Sequence, residues 1–261
     1  MKIKTLITIC LLLAANKAYS QKQVTVAFGN ALAPWVIPHN NSGIVLDLIS
    51  AAMAPAGYEV VPLYFPYSRR INSYKQGLVD ASSDMNQNTM DAEGLTGYFS
   101  GDIYQYQNYL ISLAENKFTL NTLEDVGQRS LISWQGAVEH LGEDYRNIVN
   151  KNPNYKETHD QTLQVKMLFL KRFDIAQIDL TIFKYYRNQI HQSGEISTKA
   201  KVDLFPILGA SPNGFLFKDE KMRDIFVKGI NALKASGEYQ KIFDKYTHST
   251  TTQPLSSKSV K

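Results

Sequence analysis

The feature that most constrains the fold of this chain is an alternation of β-rich runs and helix-spaced segments that stops midway and begins again. Residues 24–28 are β-rich and end at Gly29-Asn30, and residues 44–56 carry helical spacing closed by Gly57. Residues 58–65 read as the next strand, 66–77 as a helix opened by Pro66, and 79–82 as a short strand. An apolar strand over 109–114 is followed by the helix-start pattern Thr122-Leu123-Glu124-Asp125. The restart gives a strand over 130–133, helices over 138–150 and 162–171, a strand over 173–178 and a helix over 180–190. Residues 215–218 read as a returning strand and 219–246 as closing helices. Such β–α alternation predicts parallel sheets covered by helices. The 261 residues suit one large domain or two lobes of about 100–130 residues.

The ends of the chain read differently. Lys2 and Lys4 precede an apolar run over 5–15, and Ala18-Tyr19-Ser20 offers small residues for cleavage before Gln21. The alternative, a membrane anchor, fails on length, since a bilayer span needs about 20 apolar residues. A cleaved signal peptide over 1–20 is therefore expected. The one cysteine, Cys10, lies inside that run, so the mature chain would have no disulfide and would depend on its core. Export without a visible anchor predicts the periplasm of a Gram-negative cell. Residues 248–261, rich in Ser and Thr with no acidic group, read as a disordered tail. Lys2, Lys4 and Lys17 account for three of the four net positive charges, and without Lys258 and Lys261 residues 21–257 carry −1. A nearly neutral body removes nucleic acid from the expected partners.

Several motifs occur in a telling order. Ala33-Pro34-Trp35 and Gly43-Ile44-Val45-Leu46-Asp47-Leu48 come first, then Pro66-Tyr67-Ser68-Arg69 and Gly77-Leu78-Val79-Asp80. Tyr98-Phe99-Ser100 leads to Tyr104, Phe173-Asp174-Ile175-Ala176-Gln177-Ile178-Asp179 precedes Tyr185-Tyr186, and the end reads Gly237-Glu238-Tyr239-Gln240-Lys241-Ile242. Over about residues 24–246 the chain thus resembles the bacterial extracellular solute-binding proteins of family 3. The resemblance implies a two-lobed α/β, type II periplasmic-binding fold, each lobe a mostly parallel sheet flanked by helices. Residues 21–110 and 211–247 would form the first lobe and 111–210 the second, with two crossing strands and a ligand cleft between them. A monomer closing by hinge motion around a small polar organic ligand is expected. Its partner would be an inner-membrane ABC permease or, alternatively, a membrane sensor.

The resemblance places Trp35 and Tyr67 as ligand-facing aromatics, able to stack or cover an apolar chain. Packing beside a proline turn is the alternative for Trp35. Arg69 lies in the first turn of its helix, where the local dipole disfavours a cation, so an anionic ligand group would explain it. A surface salt bridge is its alternative, for which Arg70 is the better candidate. Members that bind amino acids carry an arginine clamp for the α-carboxylate after the third strand. That position falls here on Ala92 or Glu93, and no basic residue stands between Lys75 and Lys117. Asp84, Asn86 and Gln87 read instead as an acceptor-rich wall, or as a polar surface loop. In the second lobe, Trp134-Gln135-Gly136 would present backbone N–H groups to the ligand, with Trp134 closing over it. Asp179 matches the carboxylate that receives an α-amino group, and a helix cap is its alternative.

Enzyme chemistry finds little support. The five histidines show no metal-ligand spacing, and neither a G-x-S-x-G elbow nor a phosphate loop is present. No catalytic residue, metal or cofactor is expected, with a dehydratase-type activity on the same scaffold as the remote alternative.

Overall fold

The computed structural model describes residues 22–30, 32–247 and 256–257. The expected signal peptide lies outside the described residues. Strand β1 (Lys22–Gly29) is central, paired in parallel with β2 (Tyr58–Phe65) along its whole length and with β3 (Ala81–Met85). Helices α1 (Ile44–Met53), α2 (Tyr67–Lys75) and α3 (Gln87–Glu93) follow the loop after β1, strand β2 and strand β3 in turn. A short β4 (Tyr98–Phe99) precedes the long β5 (Tyr104–Leu113).

The second set begins with β6 (Leu131–Trp134), α4 (Ala137–His140) and α5 (Glu143–Val149). It continues with β7 (Tyr155–Thr158), α6 (Gln161–Phe169), β8 (Ile175–Asp179), α7 (Leu180–Ser193) and β9 (Val202–Phe205). Strand β10 (Ala210–Phe217) returns to the first sheet, and α8 (Glu220–Ser236) and α9 (Glu238–Thr247) close the fold. Hydrogen-bonded neighbours run β2-β1-β3-β10-β5-β8-β6-β7. The β1–β2, β1–β3, β6–β7 and β6–β8 pairs are parallel, as the alternation predicts. Antiparallel pairing is confined to the returning strands and their neighbours.

The two lobes meet where β5 and β10 run side by side. Tyr104–Gln107 pairs antiparallel with Ala210–Asn213, and from Asn108 onward β5 pairs with β8. The expected passage at 110/111 thus falls inside a strand already paired in the second sheet. One apolar core continues through this junction, from Val26 and Phe28 through Trp35 and Tyr104 to Ile178 and Phe183. A second lies in the second lobe around Leu131, Tyr145 and Ile175, and a third under α2 around Ile71, Tyr74 and Met85. Gly229 on α8 lets that helix seat against α1, because a Cβ there would stand 2.1 Å from the Ala52 carbonyl oxygen.

Local differences from the sequence reading have plain causes. The helix expected over 138–150 is two helices, with Gly142 at φ 97° between them. The expected closing helices part at Gly237. The helix start at Thr122-Leu123-Glu124-Asp125 yields a single 3₁₀ turn over Glu124–Val126. Strand β4 is two residues long, below the length at which alternation is readable, and β7 and β9, at four, stand at its lower limit. Of the tail read as disordered, only Ser256–Ser257 is described, parallel to β9 at Asp203–Leu204; the remainder lies outside the described residues.

Candidate functional site

The loop after β1 carries Trp35 to the junction of the lobes. It is fastened to the start of α1, where the amides of Ile44 and Val45 donate to the carbonyls of Pro34 and Trp35 at 3.0 and 2.9 Å. Gly43 makes this seating possible: its φ is 124°, and a Cβ would stand 2.6 Å from the Trp35 carbonyl oxygen. Trp35 is 3% exposed and packs edge-on against Tyr106 and Phe243, with Tyr104 alongside. Its indole N–H donates to Asp179 Oδ1 at 3.0 Å. The indole is thus a buried link between the lobes.

Asp179 stands at the N-cap of α7, the alternative left open by the sequence. Its carboxylate accepts from the amides of Thr181 and Ile182, from the Gln107 amide in β5 and from Trp35. Three of these donors share Oδ1 and the Gln107 amide takes Oδ2. Burial raises its pKa and these hydrogen bonds oppose the rise.

Arg69 and Arg70 part company because a helix turns 100° per residue. Arg70 falls on the face of α2 that also buries Ile71 and Tyr74. Arg69 is exposed and lines an outer groove with Leu63, Phe65, Asn72, Gln76 and Leu78. The expected roles are therefore exchanged: Arg70, 3% exposed, forms the internal ion pair, with its Nη1 on Asp84 Oδ2.

Asp84 is no open acceptor wall. Besides Arg70 it accepts from Ser83 Oγ at 3.0 Å, Tyr104 at 2.7 Å and Tyr106 at 2.6 Å, and its own amide donates to the Tyr104 oxygen. Its φ of 54° is left-handed, a conformation aspartate tolerates better than most residues. Burial, and then the Asp84 carboxylate, hold both tyrosine hydroxyls well above their ordinary pKa, so they remain donors. Asn86 caps α3 by accepting from the Thr89 amide and donates to Asn213. Gln87 is exposed and donates to Asp91 one turn on. The wall expected from these three residues is consumed by the fold.

Across the cleft, Gly136 does present its amide, but to a side chain of the protein. Glu157 on β7 accepts from the amides of Gly136 and Val138 at 2.9 and 3.0 Å, and from the Tyr155 hydroxyl. Trp134 stacks with His140 at 6.0 Å, the planes 8° apart. His140 in turn meets Tyr67 of the first lobe, ring centroids 4.6 Å apart. Burial lowers the His140 pKa, which keeps the imidazole neutral at neutral pH.

Two polar atoms at this contact lack a partner. Arg70 Nε and the Tyr67 hydroxyl are both shut off from solvent with no hydrogen bond of ordinary geometry. The Arg70 guanidinium lies 5.4 Å from the Tyr67 ring centroid, and burial pushes the Tyr67 hydroxyl pKa up to about 12. Among the described residues no group of three or more His, Cys, Asp or Glu is placed to hold a metal ion, and no helix is long and apolar enough to cross a membrane.

Of the residues expected in the site, Trp35, Tyr67, Asp84, Trp134, Gly136 and Asp179 lie at the junction and Asn86 and Gln87 at its rim, joined by Arg70, His140, Glu157, Tyr104 and Tyr106, which the sequence does not mark as site residues. Arg70 was readable only as a buried position, from its spacing to Ile71 and Tyr74. His140 and Glu157 carry no local signal, because only the packing of α4 and β7 brings them to the cleft.

The sequence profile of the bacterial extracellular solute-binding proteins, family 3, matches residues 24–249. No curated protein sequence matches the chain. Among solved structures it resembles an ancestral arginine-binding protein bound to glutamine, with TM-score 0.67, 16% identity, and 86% of this chain and 97% of that one covered. It also resembles a substrate-binding protein of an ABC uptake transporter from Streptococcus pneumoniae with bound histidine, with TM-score 0.67, 16% identity, and coverage of 90% and 96%. A histidine kinase sensor domain similar to periplasmic binding proteins matches with TM-score 0.68, 16% identity, and coverage of 87% and 96%. With two lobes, a shared β5–β10 junction and a profile match over nearly all of the described chain, this protein belongs to the bacterial extracellular solute-binding proteins, family 3.

Proposed function

We propose that the protein is a periplasmic binding protein whose lobes, residues 21–110 with 211–247 and residues 111–210, close as a monomer around a small polar organic ligand. The reading is carried by the interlobe contact at which Arg70 Nε is buried without a partner and the Tyr67 hydroxyl has only the Thr89 side chain near it, short of ordinary hydrogen-bond geometry. Burying polar groups unsatisfied is unfavourable, and a ligand entering between the lobes would relieve it. Tyr67, Arg70, Trp134 and His140 line the site. Trp35, Asp84, Gly136 and Asp179 hold it in shape, Asn86 and Gln87 stand at its rim, and Arg69 is assigned outside it. No cofactor or catalytic step is invoked.

The chain has two tryptophans, Trp35 and Trp134, both at the junction. A fluorescence and thermal-shift screen of the mature protein against amino acids, amines, sugars and organic acids should therefore yield a ligand that changes both signals. A screen in which nothing shifts either signal would count against binding. Export would be checked by N-terminal sequencing of the periplasmic fraction, with Gln21 expected first.

Delivery to an inner-membrane ABC permease is the use the importer-type neighbour supports. Reporting to a membrane sensor is the second reading, favoured by the sensor-domain neighbour. Permease and ATPase genes beside its own gene would support import; a sensor kinase gene would support signalling.

A further inference from the structure

We propose, resting on the reading of the cleft as a binding site, that the ligand is a carboxylate on a flat or apolar body and carries no ammonium group for the protein to read. Arg70 is 3% exposed and its Nε is a charged donor with no acceptor. The Tyr67 hydroxyl beside it has only the Thr89 side chain near it, short of ordinary hydrogen-bond geometry. What the site lacks is acceptors with negative charge, which a carboxylate supplies.

The opposite requirement is already met from within. An ammonium group needs a carboxylate or several acceptors when buried. Asp84 receives Arg70, Ser83, Tyr104 and Tyr106, and Asp179 receives Trp35, Gln107, Thr181 and Ile182. Each Asp84 oxygen takes two donors; on Asp179 three donors share Oδ1 and Oδ2 takes the Gln107 amide alone, at a residue only 3% exposed, so Asp84 is exhausted and Asp179 keeps a single enclosed acceptor site. Glu157 is committed to Gly136, Val138 and Tyr155, and Glu93 pairs with Lys75 at 3.2 Å. Opening the lobes frees little of this, because most of the Asp84 and Asp179 donors belong to the same lobe or to β5. The remaining surfaces are the rings of Tyr67, His140 and Trp134, which accept a planar or apolar body.

The test is calorimetric titration with matched pairs that differ in the amino group: 3-phenylpropionate against phenylalanine, butyrate against 2-aminobutyrate, and succinate against aspartate. The proposal requires at least one acid to bind roughly tenfold or more tighter than its amino counterpart, the weight of one charged hydrogen bond. It also requires Arg70→Lys to weaken that acid about tenfold or more, because lysine keeps the charge on Asp84 but has no Nε donor. Circular dichroism would confirm that the variant is folded, and Tyr67→Phe gives an independent loss at the same spot. Any other outcome overturns the proposal. Tighter binding of the amino member, or of another compound from the broad screen, overturns the ligand class and leaves the binding cleft standing. Silence across both the pairs and the broad screen removes the cleft reading itself.

Discussion

Apart from Asp179, which is as buried as the first-lobe pair, the ion pair on one wall of the cleft and the Glu157 carboxylate on the other sit under opposite conditions. On the first-lobe wall a full ion pair, Arg70 with Asp84, is buried to 4% and 8% side-chain exposure and fenced by two tyrosine hydroxyls. On the second-lobe wall the carboxylate of Glu157 is half-buried and faces backbone amides. A buried charge has no solvent to fall back on, so its partner is obligatory; a half-buried one can be rehydrated. The difference makes the first wall rigid and chemically discriminating. The second wall, with its aromatic stack on the short α4, is the adaptable face.

Mutations should expose that difference. Asp84→Ala leaves Arg70 buried without a counter-ion and should destabilise the protein by about 3–5 kcal/mol in urea unfolding. Pairing it with Arg70→Met should recover part of the loss; simple addition of the two single losses would show that the pair is not the stabilising unit. Trp35→Phe keeps the packing but removes one of the four Asp179 donors, and should cost about 1–3 kcal/mol by the same measurement. Glu157→Gln on the opposite wall keeps an acceptor for the Gly136 and Val138 amides and should cost about 1 kcal/mol. A loss as large as that of Asp84→Ala would erase the contrast between the walls.

How much of this was legible in the sequence follows from how local each interaction is. The β–α alternation and the order of motifs carried the architecture, since strands such as β1 and helices such as α7 are defined by contiguous residues. Asp179 as a cap was readable, because its partners Thr181 and Ile182 are two and three residues away. Its link to Trp35 was not, being 144 residues away in the chain. The same holds for Glu157, whose amide donors open α4 21 and 19 residues earlier, and for Tyr104 and Tyr106 on Asp84. Motif position points to Arg69, whereas Arg70 is revealed by the face of α2 that packs inward with Ile71 and Tyr74.

Smaller effects test the adaptable wall. The His140 pKa is lowered from 6.5 chiefly by burial; Glu93, Glu139 and Glu157 oppose this and Arg70 adds to it. The unfolded chain therefore takes up a proton at a higher pH than the folded one, and the folded state loses stability as pH falls from 6.5 through the lowered value. His140→Phe keeps a ring between Tyr67 and Trp134 and should lack that loss, so the two stability curves should separate only below about pH 6.5. Parallel curves would mean that His140 is not shielded at the lobe contact.

Arg69→Ala should change least of all. Its guanidinium is exposed on the outer groove, one helical step away from the buried face that carries Arg70. Removing it takes away no buried partner and uncovers no buried charge, so stability should move by no more than about 0.5 kcal/mol. Carboxylate affinity should also stay within a factor of about two, because a solvated charge beyond the cleft is screened over roughly 8–10 Å of saline. Set beside the large loss expected for Arg70→Lys, this asks which of two adjacent arginines carries the anion site. A loss of carboxylate binding in Arg69→Ala with Arg70→Lys unaffected would return the role to the motif position and reverse the assignment of the inner and outer faces of α2.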